Sequence, residues 1–323
     1  MDTALTMLAD NLLVPTILFF ALGLVAAVMR SDLSIPVGAA KVMSIYLLFA
    51  IGFKGGVGVS ESGASGKLIA TLFAGAVLSL LMPFLAYILL RALTRLGQLD
   101  AAAVAGHYGS ISIVTFVTAS NLLETQGISS ESYIVAVAAV MEVPAILSAL
   151  WLAARSRPGT KLDATLLRDI LANGSIVLLV GAFLIGAVTG KPGLEQIDEF
   201  IVVPFTGVLC LFLLDMGLSA GRSLLSHRRE LSLGLFAFGC LMPVIGSVLG
   251  LVAGVAIGLS QGGVFLMMTL ATSASYIAVP AAMRIALPEA KAGVYLSASL
   301  GITFPFNLTL GLPLYAWLAA MVA

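Results

Sequence analysis

The sequence predicts an all-α integral membrane protein, and three observations carry that prediction. Of 323 residues, 60% are hydrophobic and 10% charged, where a soluble domain is about half apolar and roughly a quarter charged. The mean hydropathy is +1.11. The apolar residues also come in long runs divided by charged or Gly/Pro punctuation, and a run of ~20 residues is what a helix needs to cross the hydrocarbon layer. A soluble core of this size would leave large apolar patches facing water.

Ten such runs are expected to be transmembrane helices. They fall at 12–29, 34–53, 68–93, 101–122 and 131–154, then at 171–190, 199–220, 231–258, 263–284 and 291–321. The longer ones exceed a straight crossing and should tilt or break. Segments four and nine hold polar residues where a plain lipid-facing helix would have Leu or Val. Residues 1–15, MDTALTMLADNLLVP, lack the basic start of a cleavable signal peptide, so the first helix is expected to stay in the mature protein.

Sixteen basic and sixteen acidic residues give a formal net charge of zero, so nothing suggests a nucleic-acid surface. Cys210 and Cys240 sit in apolar runs without the spacing of a zinc or redox pair and read as small packing residues. Lys and Arg in short loops set orientation. Twelve lie in the odd-numbered loops, among them Arg91, Arg155, Arg168, Arg222 and Lys291; the even loops hold only Lys54, Lys67 and Lys191. Both termini are therefore expected on the non-cytoplasmic face of a cell inner membrane, with the central connection inside.

The chain also reads as two copies of one unit: a first five-helix repeat over 1–155, a short cytoplasmic connection over 156–170, and a second repeat over 171–323. IYLLFAIGFKGG (45–56) and CLFLLDMGLSAG (210–221) align so that Gly52 pairs with Gly217 and Gly56 with Gly221. AGHYGSISIVTF (105–116) corresponds to ATSASYIAVPAA (271–282), and Glu142-Val143-Pro144 to Thr303-Phe304-Pro305. Five spans are an odd number, so the second copy enters the membrane inverted, a plan common among secondary transporters.

Candidate chemistry concentrates in segments four and nine. Irregular backbone at membrane depth occurs only where protein or a water-filled cavity surrounds it, and Gly106, Gly109, Ser110 and Ser112, with Thr272, Ser273, Ser275 and Pro280, are suited to such breaks. A half-helix starting at a break presents free N–H groups and a positive dipole end to a small anion. Ser112 and Thr115 share a face and add hydroxyl donors, as do Ser273 and Ser275. The same residues also suit close helix packing. Glu142 and Asp215 are the acids deep within spans, where charge is costly and so points to function. Glu142 stands before a proline that frees a carbonyl, a combination fit for Na⁺ or a proton; Thr303 and Asn307 offer neutral oxygens at the equivalent place. His107 and Asp215 are candidate proton relays, and Tyr108 and Tyr276 candidate cavity residues.

No enzyme motif accompanies them. His107 with Ser110 lacks an orienting third residue and an oxyanion motif, and there is no HExxH, Walker A or paired CxxC. Without a nucleotide site or bound cofactor, transport is expected to draw on an ion gradient.

GHYGSISIVTF, MEVPAI, SASYIAVPAAMRIALP and YLSASLGITFPFNLTLGLPLY, with IGFKGGVG and LLDMGLSAG in the same order, resemble the sodium-dependent bicarbonate transporter family of cyanobacterial type over nearly the whole chain. The resemblance implies ten transmembrane helices in two inverted five-helix repeats, divided into core and gate domains with broken helices four and nine. It also implies a homotrimer, elevator-like movement of the core, and sodium-coupled bicarbonate symport. By motif position Gly109, Ser110, Ser112, Thr115, Ser273, Ser275 and Tyr276 would face the substrate, and Glu142, Thr303, Asn307 and Ser112 the Na⁺ coupling ion. Tyr276 stands where the cyanobacterial pattern has an aspartate, Ala278 and Val279 replace Ser and Gly, and Val114 replaces Ser. Those departures leave open a proton- or sodium-coupled transporter of another small carboxylate. Only about sixteen residues join the repeats, so control by a PII-type regulator is an open question.

Overall fold

The computed structural model describes residues 13–63, 65–156, 168, 172, 174–226, 231–276, 279, 280, 283, 287 and 289–322. Most of the central connection, together with Arg157, Lys161, Arg228, Arg229, Ala278 and Arg284, lies outside them. Among the described residues there are helices and no strand. In chain order the helices used below are α1 (Pro15–Val28), α2 (Val37–Ser62), α3 (Gly66–Leu93), α4 (Gln98–His107), α5 (Ile113–Gln126), α6 (Ile134–Val140) and α7 (Glu142–Ser156). They continue as α8 (Gly174–Glu195), α9 (Asp198–Ile201), α10 (Phe205–Ser226), α11 (Leu233–Ile257), α12 (Gln261–Thr272) and α13 (Ala292–Val322).

Among the described residues seven stretches are long and apolar enough to cross a bilayer, and α1 and α12 are shorter apolar helices. Three of the ten expected segments are not among these seven, and two of them, four and nine, are the ones expected to break. Segment one forms the shorter helix α1 (14 residues), segment four divides into α4 and α5, and segment nine leaves helical geometry after Thr272 and is helical again at Val279 and Pro280. Serine hydroxyls start several of the helices: Ser65, Ser112, Ser232 and Ser260 each accept a hydrogen bond from the backbone N–H three residues on, satisfying one of the amides a helix start leaves open.

α3 illustrates the packing. Thr71, Gly75, Leu78, Met82, Ala86 and Leu90 are buried at helical spacing, yet the opposite face carries exposed Ile69, Phe73, Leu81 and Ile88. A helix apolar all round belongs in lipid, where its outer face needs no water.

Glycines set the closest helix contacts. α2 packs on α8 and α1 on α10. A Cβ at Gly56 would lie 1.9 Å from the Phe183 carbonyl oxygen, and one at Gly217 would lie 2.1 Å from that of Phe20. Backbone-to-backbone approach of this kind lets dispersion contacts replace the missing hydrophobic drive between helices in lipid. Gly217→Ala must push α1 and α10 apart, because backbone atoms cannot rotate away. It is expected to cost about 1–3 kcal/mol, read as a lower thermal midpoint in detergent; an unchanged midpoint would contradict the close approach.

Two large apolar clusters result. One gathers Phe20, Leu48, Phe116, Leu213, Phe265 and Tyr276, and the other Met82, Val104, Tyr108, Leu150, Phe238 and Tyr295. Tyr108 and Tyr276 stand on either side of their boundary, where the two interrupted segments meet.

Candidate functional site: the crossing of two interrupted helices

α4 ends at His107, residues 108–112 are non-helical, and α5 begins after Ser112, whose backbone is extended with φ −97° and ψ 105°. α12 ends at Thr272 with Ser273 extended, φ −73° and ψ 154°. The two breaks are joined directly. The Ser275 N–H donates to the His107 carbonyl at 2.8 Å, and the Ser112 hydroxyl donates to the Tyr276 hydroxyl oxygen at 3.0 Å. Ser112 Oγ also accepts from the Thr115 N–H (3.2 Å) and the Thr115 hydroxyl (2.9 Å). Because Ser112 spends its single proton on Tyr276, the tyrosine's own proton is left to donate.

Close approach places the first break. A Cβ on Gly109 would meet the Ser79 carbonyl oxygen at 2.5 Å and Pro83 Cδ at 2.6 Å, so only glycine lets the loop lie against α3. Gly106 belongs inside α4, not in the break as the sequence suggests; there a Cβ would meet Ala149 Cβ at 2.5 Å, a packing role against α7.

Glu142 opens α7 after an interruption at Met141, whose carbonyl accepts from Ser79 Oγ at 2.5 Å. Its Oε2 accepts from Ser110 Oγ at 2.5 Å, so the carboxylate is tied to the first break. On the far side, Thr303 Oγ1 donates to the Gly239 carbonyl (2.7 Å). Tyr108 must then be the donor in its 2.8 Å contact with Thr303 Oγ1. Asn307 Nδ2 donates to the Thr272 carbonyl at 2.9 Å while its Oδ1 accepts from the Tyr315 hydroxyl at 2.9 Å. Both residues lie where α13 takes wider π-type turns, Ser297–Thr303 and Asn307–Gly311, a departure frequent at functional sites.

The structure thus gathers buried Ser110, Ser112, Thr115, Ser275, Tyr276 and Glu142 around the two breaks in three groups of bonds: Ser110 with Glu142, Ser112 with Thr115 and Tyr276, and Ser275 with the His107 carbonyl. Ser273 is buried beside them, its hydroxyl turned back to the Thr269 carbonyl at 2.6 Å. Thr303 and Asn307 reach the crossing through Tyr108 and Thr272, and no hydrogen bond among the described residues joins them to Glu142. His107 contributes its carbonyl; its imidazole stacks on Tyr295 (4.7 Å between ring centroids) and Nδ1 contacts the Ala103 carbonyl at 2.7 Å. Asp215 stands apart on α10, the partner of α1. Ser79 and Tyr315 escaped sequence reading. Ser79 is a polar residue four before Pro83 in an apolar helix, and Tyr315 lies eight residues beyond Asn307; those spacings are the only signals.

Among the described residues no three His, Cys, Asp or Glu side chains converge. Several apolar helices and a buried polar crossing define a multi-pass membrane protein of transporter type. A family model matches residues 15–320, and the chain belongs to the Na⁺-dependent bicarbonate transporter superfamily. No curated protein matches it.

Proposed function

We propose that this chain imports bicarbonate together with Na⁺ across the inner membrane. The observation that carries the reading is the direct joining of two interrupted helices by the Ser275–His107 and Ser112–Tyr276 bonds. Interrupted segments meeting at depth bring a helix N-terminus, hydroxyls and unwound carbonyls to one place, which suits an anion and a small cation at once. The start of α5 and the hydroxyls of Ser112, Thr115, Ser275 and Tyr276 hold the anion. Glu142, with the Ser110 hydroxyl and freed carbonyls, holds Na⁺, and Thr303 and Asn307 brace the second break. Each Na⁺ offsets anion charge, so the occupied site crosses the bilayer at lower cost than either ion alone.

In this reading the chain has ten spans in two inverted repeats, over 1–155 and 171–323, with both termini non-cytoplasmic. Support comes from paired contacts: Gly52 and Gly56 of α2 approach α8, as Gly217 and Gly221 of α10 approach α1. These four helices form a gate against which the remainder moves as an elevator, within a homotrimer.

Uptake of labelled bicarbonate into proteoliposomes at fixed pH tests the function. An inward Na⁺ gradient is expected to drive uptake and an equal K⁺ gradient to leave it at background. Equal uptake in both would remove the sodium coupling. One observation favours a second reading. The crossing presents the neutral Tyr276 beside Ser112, so Glu142 is its one acid, and a carrier of another small carboxylate would show acetate or formate competing with bicarbonate in the same assay.

A further inference from the structure

Ser112, Phe116, Ser120 and Glu124 follow one another at intervals of four along α5, which stacks them on one helix face. Their exposure changes along it. Ser112 and Phe116 are buried at 4% and 2%, Ser120 is half-buried, and the Glu124 side chain is 54% exposed. The last three line a pocket of about 210 Å³ whose facing wall is Ile51, Lys54 and Gly55 of α2. Gly55 lets that wall close, since a Cβ there would lie 1.9 Å from Val135 Cγ1.

At the exposed end the Lys54 ammonium pairs with Glu124 and lies 5.5 Å from the centre of the Phe205 ring. Asn121, which also lines the pocket, donates to Thr206 Oγ1 at 3.0 Å. The other acid on the wall, Glu131, is committed elsewhere: its two oxygens accept from the Ser260 N–H (2.7 Å) and hydroxyl (2.9 Å) at the start of α12. The mouth therefore carries one ion pair, Lys54 with Glu124, and a second carboxylate, Glu131, held by neutral donors. The floor is apolar and holds Phe116, and one turn beyond it stands Ser112 with its bond to Tyr276.

We infer that this pocket is the aqueous vestibule through which small ions reach the crossing, with Phe116 as the barrier at its floor and the Lys54–Glu124 pair as the charge balance at its mouth. The inference rests on the crossing being the transport site. A cleft of one sign concentrates the opposite ion and holds it, whereas here the Lys54 ammonium offsets one of the two carboxylates on the wall and keeps the mouth open to anions as well as cations. An apolar ring between vestibule and crossing keeps hydrated ions from passing until the helices move.

The test is thiol labelling of folded protein carrying Cys210→Ser and Cys240→Ser, with a cationic and an anionic methanethiosulfonate as probes. The Ser120→Cys thiol is expected to react readily with both and the Ser112→Cys thiol slowly. Phe116→Ala opens space in place of the ring and is expected to speed the Ser112→Cys reaction about tenfold, leaving Ser120→Cys unchanged; Phe116→Val, which removes less and keeps the fold safer, gives an intermediate rate. At Ser120→Cys, Glu124→Gln raises the anionic-to-cationic rate ratio about fivefold and Lys54→Gln lowers it as much. Ser112→Cys rates indifferent to both Phe116 variants, or charge variants that move the two probes equally, would overturn the vestibule. Labelling requires no transport. Rates that follow expectation in protein without bicarbonate uptake would leave the vestibule standing and overturn the transport reading; normal uptake with indifferent rates would do the reverse.

Discussion

Glu142→Gln is expected to raise the Na⁺ concentration that stimulates bicarbonate uptake roughly ten- to hundredfold while leaving a folded protein. The side chain sits at the first turn of α7 and takes a 2.5 Å bond from Ser110. Glutamine keeps the shape and can still accept from Ser110, so packing around the first break is preserved. What it loses is the charge, and an interaction with a charged group is worth about 1.5–3 kcal/mol, roughly a ten- to hundredfold weaker hold on Na⁺. Glu142→Ala also leaves the buried Ser110 hydroxyl without its acceptor, an added penalty of about 1–3 kcal/mol that lowers stability too. The contrast between the two variants separates the roles: equal weakening of Na⁺ stimulation in both marks Glu142 as a cation ligand, whereas retained stimulation in both, with a midpoint lowered only in Glu142→Ala, would mark it as structural. Titrating Na⁺ at fixed bicarbonate reads the first quantity directly.

The residues that sequence reading reached are those whose types restrict backbone or solvent. Gly109, Ser110 and Ser112 in a run of otherwise apolar residues announced a break, and the chain leaves helical geometry at 108–112. Gly52, Gly56, Gly217 and Gly221 were legible only as matching positions of two repeats; the structure adds that they lie at close helix contacts, where no residue with a Cβ fits. Gly106 was misread because a glycine in a helix packed on Ala149 and a glycine in a loop look alike in sequence. Pro144 and Pro305 signalled freed carbonyls near Met141 and in α13, but not how the chain would settle there. The interruption at Met141 and the wide turns of α13 depend on hydrogen bonds from other helices, Ser79 to the Met141 carbonyl and Asn307 to the Thr272 carbonyl, and the register between helices is set by packing rather than by any periodicity within one of them. That also explains why Glu142 was legible as an isolated acid but its link to Ser110, thirty-two residues away, was not.

Ser112 is the residue on which the two breaks depend, and Ser112→Ala is expected to raise the apparent bicarbonate constant about tenfold while altering Na⁺ dependence little. One hydroxyl makes three bonds there: it caps α5 by accepting from the Thr115 N–H, accepts from the Thr115 hydroxyl and donates to Tyr276. Losing the cap alone costs about 1 kcal/mol, and losing the bond to Tyr276 removes a further ~1 kcal/mol of coupling between the breaks. Together these reach about 2 kcal/mol, and a tenfold effect, about 1.4 kcal/mol, needs only part of it to fall on an anion site built on the start of α5. Tyr276→Phe removes the same cross-break bond from the other side, along with the phenolic proton left free to meet the anion. If the bond is what matters, the double variant is no worse than the more damaged single variant, because the second substitution deletes an interaction already gone. Strictly additive effects would instead mean that Ser112 and Tyr276 contact the anion independently. Wild-type constants in all three variants would place the substrate away from the crossing altogether.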